Sequence, residues 1–191
     1  MTDSPELSLH PGEGRGPVSG RSHLGPGLRR GGAHFEAARG IALLLPAALL
    51  AGAWGFQLIG GLTPCEMCHW QRWPHYAAVV IAALAFVVPG LASRRALVWL
   101  AALAIAVSGA IGVYHAGVEY QWWQGATECT SSLRSTGSAA DMLNAIMAAP
   151  IVRCDQPQWT LWGVSLAGFN AILSLGGAIV IALLMGRSRR A

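Results

Sequence analysis

Residues 64–73 read Pro64-Cys65-Glu66-Met67-Cys68-His69-Trp70-Gln71-Arg72-Trp73, two cysteines separated by two residues, set between one long apolar run and the start of the next. Thiols at this spacing close a small ring on oxidation, and their thiolates respond strongly to nearby charge. That chemistry suits exchange, metal binding or haem attachment better than scaffolding. Because the pair stands where the chain leaves one apolar stretch and enters another, the flanking stretches decide the fold.

Those stretches are apolar enough to make lipid their solvent. Of the 191 residues 53% are hydrophobic and only 12% charged, unlike an ordinary soluble surface. Four runs, at about 40–62, 76–92, 96–117 and 159–186, contain no Asp, Glu, Lys or Arg. Each is near the ~20 residues that a helix needs to cross about 30 Å of hydrocarbon. The expectation is an all-α polytopic membrane protein, a four-transmembrane-helix bundle over residues 39–187 with a short end at 188–191. Residues 1–38 are rich in Gly, Pro, Ser and Arg, lack an apolar period, and are expected to form a disordered tail. Asp3, Glu6, Glu13 and Glu36 argue against an organelle transit peptide, and no cleavable secretory pattern opens the chain.

All 13 basic residues are arginine, and their placement matters more than the net charge of +4. Arg29, Arg30 and Arg39, then Arg94 and Arg95, then Arg187, Arg189 and Arg190 fall on one side of a four-span path. The positive-inside bias makes that side, with both termini, cytoplasmic, and it speaks for a lipid bilayer as the partner rather than nucleic acid. The opposite loops, residues 63–75 and 118–158, carry all four cysteines, Cys65, Cys68, Cys129 and Cys154. An even number of cysteines in an exported compartment permits two disulfides. Trp70, Trp73, Trp122, Trp123, Trp159 and Trp162 cluster at the same ends of the spans, where indole rings prefer the headgroup layer. Between 138 and 150, Ala139, Met142, Leu143, Ile146 and Met147 recur at helical spacing, as in a short helix lying on the membrane surface or packed on the bundle.

Several chemistries fit the cysteines. Two dithiols in facing loops suit a relay in which one pair exchanges with a soluble protein and the other passes electrons on. Cys129 and Cys154 enclose a longer loop, and a bridge there would also serve a disulfide-stapled structural membrane protein. Cys65-Glu66-Met67-Cys68-His69 satisfies the c-type haem pattern of a membrane-anchored cytochrome, although the loop is short to wrap a porphyrin and two cysteines would stay unexplained. Four thiols match the count for zinc, but Cys129 and Cys154 lack the close spacing of a second ligand pair; no metal is expected.

The run Pro64 to Arg72 after a first span, Tyr114-His115 at the end of the third, the Cys129/Cys154 loop and a fourth span opening near Trp159 together resemble the bacterial disulfide bond formation protein B (DsbB) family over about residues 40–186. The resemblance implies an inner-membrane thiol–disulfide oxidoreductase. It would reoxidise a periplasmic DsbA-like partner with a thioredoxin fold and pass the electrons to a membrane quinone, ubiquinone or menaquinone. By position, Cys65 and Cys68 resemble the pair next to the quinone, with Cys68 as the thiolate in contact with it. Cys129 resembles the cysteine that joins the partner, and Cys154 its mate. Arg72 and His115 match the family's quinone-site arginine and third-span histidine. The long tail and His69 depart from the better-known members.

Overall fold

The computed structural model describes residues 26–125 and 152–190, with scattered positions between 138 and 147. Residues 1–25 of the expected tail, most of the expected surface helix, and Cys129 lie outside the described residues. Four long helices make up the bundle: α1 (Pro26–Leu58), α2 (Glu66–Val87), α3 (Leu91–Glu119) and α4 (Leu166–Arg190). A two-stranded hairpin, β1 (Thr160–Leu161) and β2 (Val164–Ser165), precedes α4.

Burial in this bundle is inverted relative to a soluble protein. The interior of one half is largely alanine, with Ala42, Ala78, Ala82, Ala85, Ala101 and Ala102 buried beside Val98, Ile105, Ile181 and Met185. Large side chains such as Leu44, Val80, Val87, Leu103, Ile179 and Leu183 face outward. Small residues let helix backbones approach closely where lipid removes any hydrophobic drive between helices, and the outward leucines and valines cost nothing in hydrocarbon. Among the described residues three helices, Gly31–Leu58, Leu91–Glu119 and Leu166–Arg189, are long and apolar enough to cross a membrane. Helix α2, with 22 residues, is about 33 Å long; its first half carries Gln71, Arg72 and His75, all buried.

Every helix boundary differs from the hydropathy reading, each for a physical reason. Residues 26–38, expected in the tail, belong to α1. Phe35 and Ala38 are buried, and the Arg39 guanidinium lies 4.1 Å over the Phe86 ring, hydrogen-bonds Ala85 O and pairs with Glu36. Helix α2 starts at Glu66, not near 76, because Cys65 is its N-cap, its Sγ accepting the Cys68 N–H at 3.3 Å. The early start leaves Pro74 in the helix interior, where it removes the bond to Trp70 O. Helix α3 starts at Leu91 because Gly90 takes the left-handed backbone (φ 88°) that turns the chain. Helix α4 starts at Leu166, not 159, because Trp162 and Gly163 both have positive φ, 50° and 78°, as a two-residue type I′ hairpin turn requires. The Tyr120 hydroxyl clamps this hairpin, donating to Gly163 O at 2.7 Å and accepting Ser165 N–H at 2.9 Å, while Ser165 Oγ accepts the Gly168 N–H at the start of α4.

The thiols lie at the opposite end of the bundle from Arg39 and Arg95. Arg95 donates to Ser188 O and Oγ across the α3–α4 end, as Arg39 does to α2. At the far end Cys65, Met67, Val118 and Cys154 form a second buried cluster.

Candidate active site

Cys65 stands at the N-cap of α2 and Cys68 in its first turn, so both sulfurs face into the bundle on one side of the helix. They lie 2.9 Å apart, with Cys65 Sγ–H donating to Cys68 Sγ. The hydrogen bond to Cys68, then burial, push the Cys65 thiol well above the ordinary thiol range, and neighbouring Cys68 and Cys154 add to the effect. Cys68 is therefore the sulfur that holds negative charge first.

Of the four other expected site residues, three are described, Cys154, His115 and Arg72, and all three lie near this pair. Cys154 is wholly buried in the same cluster as Cys65. His115, on α3, puts Nε2 3.6 Å from Cys65 Sγ and 3.7 Å from Glu119 Oε1. Arg72 is only 9% exposed and donates to Gln57 Oε1 at 2.6 Å and Ala53 O at 3.2 Å on α1, its guanidinium 5.4 Å over the Trp54 ring. It is thus a buried cation held by neutral oxygens; among the described residues no carboxylate pairs with it. Trp159, expected as an interfacial anchor, packs at tilted angles between Phe56 and Phe169 and lines the cavity described below. Trp73, Trp122 and Trp162 are exposed, as headgroup anchors would be. His69 is exposed and does not line that cavity, so the haem pattern does not converge in space. Cys129 lies outside the described residues.

A cavity of about 340 Å³ opens beside the sulfurs between α1 and α4, within the ~300–1,000 Å³ range of small-molecule sites. Its walls are apolar, from Leu49, Leu50, Phe56, Leu166, Phe169 and Leu173, while Cys65, Cys68, Arg72, His75 and His115 meet at one end. The segment 152–158 closes the top, with Gln158 Nε2 donating to Thr63 O at 2.7 Å. A flat ring with polar oxygens and an apolar tail matches this division of the lining.

Gln71, His75, Ser108, Asn170 and Ser174 escaped the sequence reading. They form one buried network: Gln71 Nε2 lies 2.7 Å from His115 Nδ1, Asn170 Nδ2 donates to Gln71 Oε1 at 2.8 Å, and His75 Nε2 lies 2.9 Å from Asn170 Oδ1. Close packing of α3 on α4 makes this reach possible, since a Cβ on Gly112 would lie 3.1 Å from both Ala167 O and Asn170 Nδ2. The available signal was Asn170, an amide in an apolar span, together with Gln71 and His75 one helical turn apart on α2.

A family model, disulfide bond formation protein DsbB, matches residues 36–184. No curated protein and no solved structure is found to match the chain. The family match spans most of the chain, and a buried vicinal dithiol lies at one end of a lipid-adapted bundle: this chain belongs to the DsbB family of membrane disulfide bond formation proteins.

Proposed function

We propose that this protein reoxidises a periplasmic, DsbA-like dithiol protein and delivers the electrons to a membrane quinone. One observation carries this reading: Cys65 of the Cys65–Cys68 pair shares a buried cluster with Cys154, and the pair lines an apolar cavity that a buried arginine also lines.

The exchange balances as follows. A partner thiolate attacks Cys129 Sγ of a Cys129–Cys154 disulfide, forming a mixed disulfide and freeing the Cys154 thiolate. Cys154 attacks Cys65 of a Cys65–Cys68 disulfide, forming a Cys65–Cys154 bond and releasing Cys68 as thiolate. The partner's second thiolate cleaves the mixed disulfide, so the partner leaves oxidised and Cys129 returns as thiolate. Cys129 then attacks Cys154, rebuilds their disulfide and leaves Cys65 reduced. Two electrons and two protons have moved from the partner to Cys65 and Cys68. Placement of Cys154 and Cys65 in one buried cluster supports the second step.

A quinone ring fits the cavity's polar end, its tail along the leucines, and when bound supplies the two-electron, two-proton acceptor that restores the Cys65–Cys68 disulfide. Arg72 would hold one ring oxygen and stabilise negative charge there and on Cys68, in a site of lowered dielectric. His115 Nε2, near Cys65 Sγ, is placed to move a proton at that sulfur. On this reading α2 is a fourth span, both termini are cytoplasmic and both cysteine loops periplasmic in a bacterial inner membrane, an orientation supported by the arginines at the opposite end of the bundle.

A partner whose second cysteine is replaced by serine should be trapped on Cys129 as a mixed disulfide resolved on non-reducing gels, because the thiolate that would release it is missing, whereas Cys154→Ser leaves no Cys129–Cys154 disulfide to attack and should not turn over. An impermeant thiol reagent should label the reduced cysteine loops only from the periplasmic side. Labelling from the cytoplasm, or full turnover by Cys154→Ser, would refute the relay.

A further inference from the structure

The buried network fixes which nitrogen of each histidine carries the proton. Backbone carbonyls only accept, so Met67 O at 3.2 Å orients the Gln71 amide with Nε2 towards it, and Ser108 O at 3.2 Å orients the Asn170 amide in the same way. With Gln71 Nε2 a donor, His115 Nδ1 at 2.7 Å must accept, and the His115 proton lies on Nε2, towards Cys65 Sγ. The second assignment is tighter. His75 Nε2 faces Asn170 Oδ1 at 2.9 Å and Ser108 Oγ at 2.9 Å. Ser108 spends its own hydrogen on Gln71 O, and Ser174 spends its own on Asn170 Oδ1. Every neighbour of Nε2 is therefore an acceptor, and Nε2 carries the proton.

His75 Nδ1 then keeps its lone pair. The side chain is 3% exposed, lines the cavity, and has no partner for Nδ1 among the described residues. No carboxylate stands within ion-pair distance of His75 among those residues. An unsatisfied buried acceptor is costly, and it favours a ligand that brings a donor. The oxidised and reduced forms of a quinone differ in this respect: the ring of the quinone offers only carbonyl acceptors, which a lone pair repels, whereas the quinol offers hydroxyl donors.

Resting on the quinone reading above, we propose that His75 Nδ1 is the hydrogen-bond acceptor for a hydroxyl of the reduced ring, so that the cavity binds quinol in preference to quinone at this end. Arg72, a pure donor, suits either form. His75 thereby favours electron transfer away from the thiols and slows release of the product.

The test uses full-length, detergent-solubilised protein with Cys65→Ser and Cys68→Ser, in which no electrons move, and measures equilibrium binding of a decyl-chain benzoquinone and its quinol. Quinol should bind more tightly, and His75→Phe, which keeps a flat ring, should weaken quinol about three- to tenfold while leaving quinone within about twofold. Equal weakening of both forms would make His75 a packing residue and overturn the proposal. Binding of neither form to the parent protein would sink the quinone reading itself, and this inference with it. Imidazole ¹⁵N shifts of the parent protein read the tautomer without any variant at His75. A proton on Nδ1 with bare Nε2 would also overturn it.

Discussion

The two halves of this bundle are built from the same helices by opposite rules. Towards the arginine end the interior is dry, with alanines of α1, α2 and α3 packed beside Ile105, Ile181 and Met185. Towards the thiol end the same helices enclose Gln71, Arg72, His75, Ser108, His115 and Asn170, nearly all buried and nearly all paired. Helix α2 shows the change within one element, polar before Tyr76 and apolar after it. In hydrocarbon an unpaired polar group is expensive, so the polar half depends on a network that pairs most of its polar atoms. The dry half only has to pack. Stability and chemistry are thus separated along the bundle axis, and substitutions in the two halves should fail differently.

The largest effect belongs to the sulfurs. Cys68→Ser should abolish quinone-linked oxidation of a dithiol partner while single-turnover exchange at Cys129 and Cys154 persists. Wild-type rates with quinone as sole acceptor would show that the polar half is not the redox centre.

Arg72 comes next. A hydrogen bond to a charged group contributes about 1.5–3 kcal/mol, so Arg72→Ala should lower kcat/KM for quinone roughly ten- to a hundredfold. Arg72→Lys, which keeps charge but cannot reach both Gln57 and Ala53 O as a planar fork, should fall between. Normal quinone kinetics with reduced abundance alone would reassign Arg72 to the structural half.

A pH experiment sharpens the division within the dithiol. Because the Cys65 thiol is held above its ordinary range by its bond to Cys68 and by burial, the neutral form of Cys65 persists as pH rises through the range where a free thiol ionises. In the reduced protein, alkylation near neutral pH should fall on Cys68 at least about tenfold faster than on Cys65, and Cys65 should gain reactivity only at more alkaline pH. Mass spectrometry of the labelled peptides reads the ratio; equal labelling at neutral pH would remove the asymmetry.

The smallest effect on chemistry should come from the dry half. Ala101→Leu overpacks a fully buried position and should cost about 1–3 kcal/mol of stability. Thermal unfolding in detergent should show that loss, with kcat per folded molecule within about twofold of wild type. A large fall in kcat without a fall in stability would mean that the two halves are coupled.

The sequence by itself determined the lipid-adapted helical character and the grouping of most arginines apart from the cysteines, and it singled out the Cys65–Cys68 pair as the candidate site. Hydropathy, charge bias and thiol spacing are local properties, readable along one dimension. Helix ends were not legible in this way. Hydropathy assigns residues 69–75 to a loop because they are polar, whereas they are helical because the bundle satisfies them. Nor was the company of the sulfurs legible from spacing alone: His115 reaches Cys65 across 50 positions, and Asn170 reaches Gln71 across 99. Only the close packing of α3 on α4 at Gly112, with α2 beside them, brings such distant polar groups within hydrogen-bond length. A buried network is a three-dimensional closure condition in which each donor must meet an acceptor on another helix, and no single helix carries that information.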